Sequence, residues 1–318
     1  MRAVRLIALP VAMFMLAACP SRTLTADDVF VPNEPDFVAA TEDDLYIDGE
    51  EIYAAPTDYT LSFDILGAPR EVPVSRADHV PASVVHGFAP YNGTGDRLAW
   101  TLISREARDS EAPRPLVVMC GGNAFSRYSA GVAYSLAAIE HGDVLLFDYP
   151  GSGDTGGEAN LANFEAAADT VRSLAEERAG VARGVVFWGH SLGGFVCADM
   201  AARFPGAAGI IIEASARNIA EIADAWRPWY LFFVNWRVDD NLARYDIVNA
   251  LEDFEKPILI LAGTRDRVLP LELSQQIFQG LDAASRDVEI ESFSAGHNTI
   301  VLSEDFDEVM DTYFEGLN

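Results

Sequence analysis

The sequence predicts an α/β protein with a mostly parallel central sheet and helices on both faces. Three observations carry that prediction. Short apolar, β-branched segments recur without the polar-every-other pattern of a one-sided sheet, as strands buried on both faces do. Ala-rich stretches with apolar spacing near 3.6 residues lie between them, and strands alternating with helices imply a parallel sheet. The composition, 50% hydrophobic, 10% aromatic and 22% charged over 318 residues, is that of a globular chain large enough to bury a substantial core.

Taken in order, the chain opens with Arg2 and Arg5 before an apolar run from Leu6 to Ala18. The run has the charged start and short middle of a secretory signal and is too short to span a bilayer comfortably, so residues 1–18 read as an export signal. It ends in Leu16-Ala17-Ala18-Cys19, which resembles the bacterial lipoprotein lipobox. That resemblance implies lipidation of Cys19, with palmitate among the acyl chains, and an anchored domain in the cell envelope facing the periplasm or exterior. The alternative is an ordinary secretory signal that happens to contain a cysteine. Residues 19–58 are acidic, proline-bearing and weakly periodic, which predicts a tether or loosely docked extension. The domain proper is expected over 59–318. Tyr59–Leu66 and Arg97–Ser104 alternate enough to be antiparallel edge strands at the start of the sheet. Leu116–Met119, Val144–Phe147, Val185–Trp188, Gly209–Ile212, Ile258–Leu261 and Val288–Phe293 read as strands. Helices are expected over Leu161–Ala179, Leu192–Phe204 and Ser303–Phe314, with Ser303 as the cap of the last. The sequence contains no internal repeat.

Charge narrows the partners. The formal net charge is −27 and the isoelectric point is near 4.3, which would repel nucleic acid and anionic lipid head groups. No nucleic-acid partner is expected and no obligate protein partner is inferred. Three cysteines exclude a disulfide scaffold; Cys120 and Cys197 are expected as buried thiols beside the site, with a disulfide between them as the alternative. No His, Cys, Asp and Glu cluster at metal spacing is present, so neither a metal nor a cofactor is expected.

The sharpest chemical signal is Gly189-His190-Ser191-Leu192-Gly193-Gly194. It follows the apolar strand Val185–Trp188 and precedes an apolar helix, the strand–turn–helix context that a G-x-S-x-G serine requires. Such a turn strains the serine backbone and leaves room only for small residues two before and two after it, where this chain has glycine. A serine hydroxyl also needs a base, and the base needs a carboxylate to orient it. Asp266 follows the strand Ile258–Leu261, at its carboxyl end. His297 follows the strand Val288–Phe293 in Ser294-Ala295-Gly296-His297-Asn298. Of the other histidines, His190 sits inside the turn, His79 and His86 precede the main sheet and His141 falls at a helix end. Two readings of Asp266 stay open, a triad acid and a surface partner for Arg265 or Arg267, and Glu213 at another strand end is the rival acid.

With Ser, Asp and His in that order and context, residues 97–318 resemble the α/β-hydrolase superfamily. The resemblance implies that fold, with a small aromatic-rich cap over about 214–250, and an oxyanion hole built from two backbone N–H groups. Leu192 would supply one. The other would be that of Asn123 in Cys120-Gly121-Gly122-Asn123-Ala124, which is similar to the H-G-N-A loop of the lysophospholipase-like branch that includes the BEM46-like proteins, with Gly121 where that branch has histidine. Asp148-Tyr149-Pro150-Gly151-Ser152-Gly153-Asp154-Thr155-Gly156-Gly157 looks like the D-Y-x-G-x-G-x-S-x-G loop of the same branch. It lacks the Lys-Ser/Thr ending of a phosphate-binding loop and is expected to shape the pocket floor. In the cap region, the apolar Pro228–Val234 would cover the pocket, dip into lipid or pack as core.

The expected activity is a lipid-anchored serine hydrolase that cleaves a carboxylic ester or thioester through an acyl-enzyme, on a small-molecule or lipid substrate. A serine peptidase or acyltransferase would use the same triad, and a non-catalytic hydrolase-fold binding protein is the remaining alternative.

Overall fold

The computed structural model describes residues 21–25, 51–53, 58–65, 68–75, 82–105, 114–123, 125–128, 130–227 and 235–317. The export signal, Cys19, Ala124 and Pro228–Val234 lie outside the described residues.

Among the described residues, nine strands form one sheet. Its six-strand parallel half comprises β7 (Leu116–Cys120), β8 (Asp143–Phe147), β9 (Val185–His190), β10 (Ala207–Glu213), β12 (Ile258–Gly263) and β13 (Val288–Phe293). At the other edge, β6 (Arg97–Arg105), β5 (Ala82–Pro90) and β2 (Glu51–Tyr53) add antiparallel, giving the order β13-β12-β10-β9-β7-β8-β6-β5-β2. Strands β7, β8, β9 and β12 are buried at every position and β10 at all but Ala208, which is why they read as apolar runs. Strand β13 shows partial burial on alternate residues, as an edge strand should.

Helices cover both faces, so the core is split by the sheet. On one face α2 (Leu161–Arg183), α3 (Gly193–Ala202) and α7 (Leu271–Ala283) pack Phe164, Val171, Phe195, Met200 and Ile277 against Leu116, Phe187 and Ile210. On the other, α1 (Ala130–Ala138) and α8 (Phe306–Gly316) pack Tyr134, Phe306 and Met310 against Met119, Trp188 and Ile211. The helices start where local chemistry lets them: the Asn160 side chain accepts the Asn163 N–H at the head of α2, satisfying one of the donors a helix N-terminus leaves unpaired. The chain has the α/β-hydrolase fold.

Four expectations need correction. The segment expected at Tyr59–Leu66 forms β3 (Asp58–Ile65), which pairs with β4 (Ala68–Ser75) in a separate two-stranded sheet instead of edging the main one. His86 does not precede the sheet; it lies on β5 and bonds the Thr101 hydroxyl. Ser303 does not cap the last helix: a short 3-10 turn at Ile300–Leu302 intervenes, and α8 starts at Phe306. Cys120 and Cys197 are not thiols. They form a disulfide with Cα atoms 6.0 Å apart, joining the end of β7 to α3. Near the start of the described residues, β1 (Ser21–Leu24) pairs in parallel with β11 (Asn235–Val238), so these residues are docked onto the segment between β10 and β12.

Candidate active site

The sheet order decides where chemistry can occur. Strands β7, β9, β10, β12 and β13 are parallel, so their following loops gather along one edge. Ser191 follows β9 directly, with φ of +53°, a left-handed conformation that an ordinary residue adopts only under local compulsion. The compulsion is steric. A Cβ on Gly189 would lie 2.5 Å from the Gly193 carbonyl oxygen, and one on Gly193 would run into the Cys120 carbonyl. Two backbone ties hold the turn: the Ser191 N–H donates to the Glu213 carbonyl at 2.8 Å, and the Ser215 hydroxyl donates to the Ser191 carbonyl at 2.8 Å.

The three residues read as a triad meet. His297 Nε2 lies 3.0 Å from Ser191 Oγ, and His297 Nδ1 lies 2.7 Å from Asp266 Oδ2. Asp266 is buried, and its other oxygen accepts the N–H groups of Val268 at 2.8 Å and Leu269 at 2.9 Å. Both carboxylate oxygens are therefore occupied, and the surface-partner reading of Asp266 fails. The approach of acid and base follows from loop pairing: Thr264 N–H donates to the Phe293 carbonyl and Arg265 N–H to the Ala295 carbonyl, so the segments leaving β12 and β13 run together.

His190 has a role that sequence reasoning missed. Its Nε2 lies 3.0 Å from the His297 carbonyl oxygen, which can only accept, so the proton sits on Nε2. Burial, with the neighbouring His297 adding to it, pushes the His190 pKa down to about 3, and the ring is neutral at ordinary pH. A neutral donor thus fixes the backbone of the base. The signal was visible, since the histidine directly precedes the serine, but its partner is 107 residues away in sequence.

Glu213, the rival acid, does not reach His297. It is fully buried, accepting the Tyr134 hydroxyl at 3.2 Å and the Trp188 indole N–H at 2.9 Å. Burial raises its pKa to about 8, the two donors opposing that rise only in part, so it is a neutral acid at pH 7.

Of the expected oxyanion donors, Leu192 stands immediately before α3, and among the described residues its N–H bonds to nothing, at the positive end of that helix. Asn123 lies exposed in the turn after β7. A Cβ on Gly122 would fall 3.1 Å from Ser191 Cβ, so the loop passes close to Ser191. The departure at Gly121 has a steric reason: a side chain there would overlap the Phe125 ring, which fills the space. Among the described residues there is no group of side chains able to hold a metal ion, and no helix is long and apolar enough to cross a membrane.

In the cap region, α4 (Ile219–Ala225) is followed by the exposed Trp226, whose indole N–H donates to the Val268 carbonyl at 2.6 Å beside the acid loop. A small, mostly apolar pocket opens between α2 and α3, lined by Leu161, Phe164, Ala168, Leu192, Phe195 and Val196, with the acidic Glu165 and Asp199 also on its wall and Leu242 and Tyr245 contributed by the segment between β10 and β12.

This arrangement can do one kind of chemistry well. A hydroxyl whose proton can move to an imidazole, with a carboxylate behind it and the Leu192 N–H next to it in the chain, is suited to attack on an electrophilic carbon.

Comparisons with known proteins agree at the level of the fold. Residues 115–241 match the family model described as alpha/beta hydrolase fold. A protein of Mycobacterium tuberculosis is 29% identical over 189 residues, 58% of this chain and 63% of that protein. The phosphatidylserine lipase of Rattus norvegicus is 25% identical over 190 residues, 58% of this chain but only 33% of the lipase. The matched region thus spans under two thirds of the first relative's length and a third of the lipase's. Among solved structures, an esterase of Pyrococcus furiosus superposes with a TM-score of 0.56 at 14% identity, over 74% of this chain and 91% of that one.

Proposed function

We propose that this member of the α/β-hydrolase superfamily is a serine hydrolase that cleaves carboxylic esters or thioesters through an acyl-enzyme. The observation that carries the reading is the unbroken hydrogen-bonded line from Ser191 Oγ through His297 to Asp266. Ser191 attacks the substrate carbonyl while His297 Nε2 takes its proton. The oxyanion is bound by the N–H of Leu192 and that of Asn123. His297 then returns the proton to the leaving alcohol or thiol, and water, activated by the same imidazole, releases the acid. Asp266 holds the imidazole in the tautomer that presents Nε2 to the serine.

The favoured acyl group is an aliphatic chain. The apolar pocket starts at Leu192, the residue after the nucleophile, and continues along one face of α3 at Phe195 and Val196. Each buried methylene contributes about 0.8 kcal/mol, so such a pocket discriminates by chain length. The likeness to a phosphatidylserine lipase, at 25% identity over a third of that protein, supports a lipid ester as the substrate class.

The site of action is the cell envelope. The charged and apolar residues before Cys19 support export with lipidation of that cysteine, and a buried disulfide suits an oxidising compartment. A Cys19→Ala protein is expected to leave the membrane fraction and lose palmitate labelling; retention of both sinks the anchor.

A fluorophosphonate probe tests the chemistry. Wild type should be labelled and Ser191→Ala should not, and absence of labelling in wild type rejects the hydrolase reading in favour of a binding protein. A p-nitrophenyl ester series then tests the chain preference. Octanoate should exceed acetate at least about tenfold in kcat/KM, and Ala168→Trp should remove that advantage while sparing acetate. A flat or inverted series rejects the acyl pocket alone.

A further inference from the structure

An oxyanion hole works only if its donors are held in place before the charge appears, because a loop that must reorganise during the reaction gives back what it gains. The loop from β7 to α1 carries two consecutive glycines, so its stiffness must come from outside itself. Both of its ends are tied to one neighbouring segment.

At the near end, the Tyr149 hydroxyl donates to the Gly121 carbonyl at 2.9 Å in a fully buried setting. Burial pushes the Tyr149 pKa up, so the phenol stays a donor at any working pH. Its ring is fixed by stacking on Phe164 and by an edge contact with Phe147.

At the far end stands Arg127, whose side chain is 1% exposed. Its own backbone N–H donates to Asp148 Oδ1 at 2.9 Å and its Nε to Asp148 Oδ2 at 2.8 Å, so one carboxylate grips both main chain and side chain. The remaining guanidinium nitrogens reach Asp154 at 2.6 Å, and the Thr101 hydroxyl and Trp100 carbonyl at 2.7 and 3.2 Å. Asp148 also accepts the Asp154 N–H at 3.1 Å, and the loop curls round it at Gly153, where φ is +52° and a Cβ would collide with the carboxylate.

A buried ion cluster of this kind is weak evidence for stability, since well-packed apolar residues would often serve as well. What it provides is a single geometry. The residues that supply the two ties, Asp148 and Tyr149, are adjacent in sequence, so a single turn of chain sets both ends of the loop.

We infer that Asp148 and Tyr149 are positioning residues, which through Arg127 and Gly121 hold the loop carrying Asn123 in register with Ser191. The inference rests on the ester-hydrolase reading, with Asn123 as oxyanion donor. It gives the Asp148–Gly157 loop a task other than shaping the pocket floor.

Tyr149→Phe is the decisive variant, because it removes one hydroxyl and keeps the ring. It is expected to lower kcat for p-nitrophenyl butyrate about 5- to 20-fold with KM within twofold. The matching thionoester provides the diagnostic control. Its sulfur is a poor acceptor for oxyanion donors, so its turnover should fall less than about threefold in the same variant. Arg127→Lys, which keeps the charge and loses the fork, should show the same oxoester-selective loss. Equal losses on both substrates, or kcat within twofold of wild type, overturn the inference. Failure of the underlying reading looks different: wild type itself would then show neither turnover nor fluorophosphonate labelling.

Discussion

Two carboxylates lie at the ends of neighbouring strands behind the same serine, and they have opposite fates. Asp266 is met by two backbone N–H groups and an imidazole. Glu213 is met by one phenol and one indole inside the apolar face of Tyr134 and Trp188, and burial wins, lifting its pKa to about 8. Position at a strand end therefore does not select the triad acid. What selects it is whether the following loop turns back toward the base. The Asp266 loop does so because it pairs with the segment leading into His297. The Glu213 backbone is committed to the other partner, accepting the Ser191 N–H, while its side chain points away into the core beneath Trp188.

The comparison can be broken most directly at Asp266. Asp266→Asn should lower kcat for ester hydrolysis roughly 10³- to 10⁴-fold, because the asparagine favours the wrong imidazole tautomer. A loss of tenfold or less, together with a large loss for Glu213→Gln, would reverse the assignment of the acid.

The next effect is on stability. Glu213 has a folded pKa of about 8 against an ordinary value of 4.5, so the unfolded chain gives up this proton first. Its stabilising share is fully present below about pH 4.5 and is lost as pH rises through 8. Thermal scans from pH 5 to 9 should show Tm falling on this account by roughly 5 °C or more, and Glu213→Gln should flatten the profile. Parallel profiles for the two proteins would mean that Glu213 is ionised in the fold.

Smaller still is the effect of Tyr134→Phe. It removes a donor that holds the Glu213 pKa down, so the midpoint of the pH–Tm curve should move up by less than about one unit. A downward move would contradict the hydrogen bond. The smallest effect expected is that of Glu213→Gln on turnover at pH 7, within about threefold of wild type, since the glutamine replaces a group that is already neutral.

The elements differ in how much of this was legible beforehand. The turn at Ser191 was legible because its glycines form a contiguous pattern after an apolar strand, although only the clash at Gly189 is local; the one at Gly193 is with the Cys120 carbonyl at the end of β7. The central strands were legible because burial on both faces removes polar residues from them altogether. Strand β3 was misplaced because an alternating pattern specifies that a strand forms and not which strand it joins. The disulfide was misread because Cys120 and Cys197 are 77 residues apart in sequence, and only the packing of α3 against β7 brings them together. The ties on Arg127 were invisible for the same reason, as its partners come from β6 and from the loop after β8.

The order of serine, acid and histidine, the alternation of strand and helix, and the small residues of the turn were determined by the sequence alone, because each is enforced by short-range sterics or by the period of a buried element. Which of two buried acids meets His297, which cysteines join, and which side chains tie the loop after β7 were decided by tertiary structure. Those outcomes depend on direct contacts between segments far apart in the chain, and a linear pattern carries no such distances.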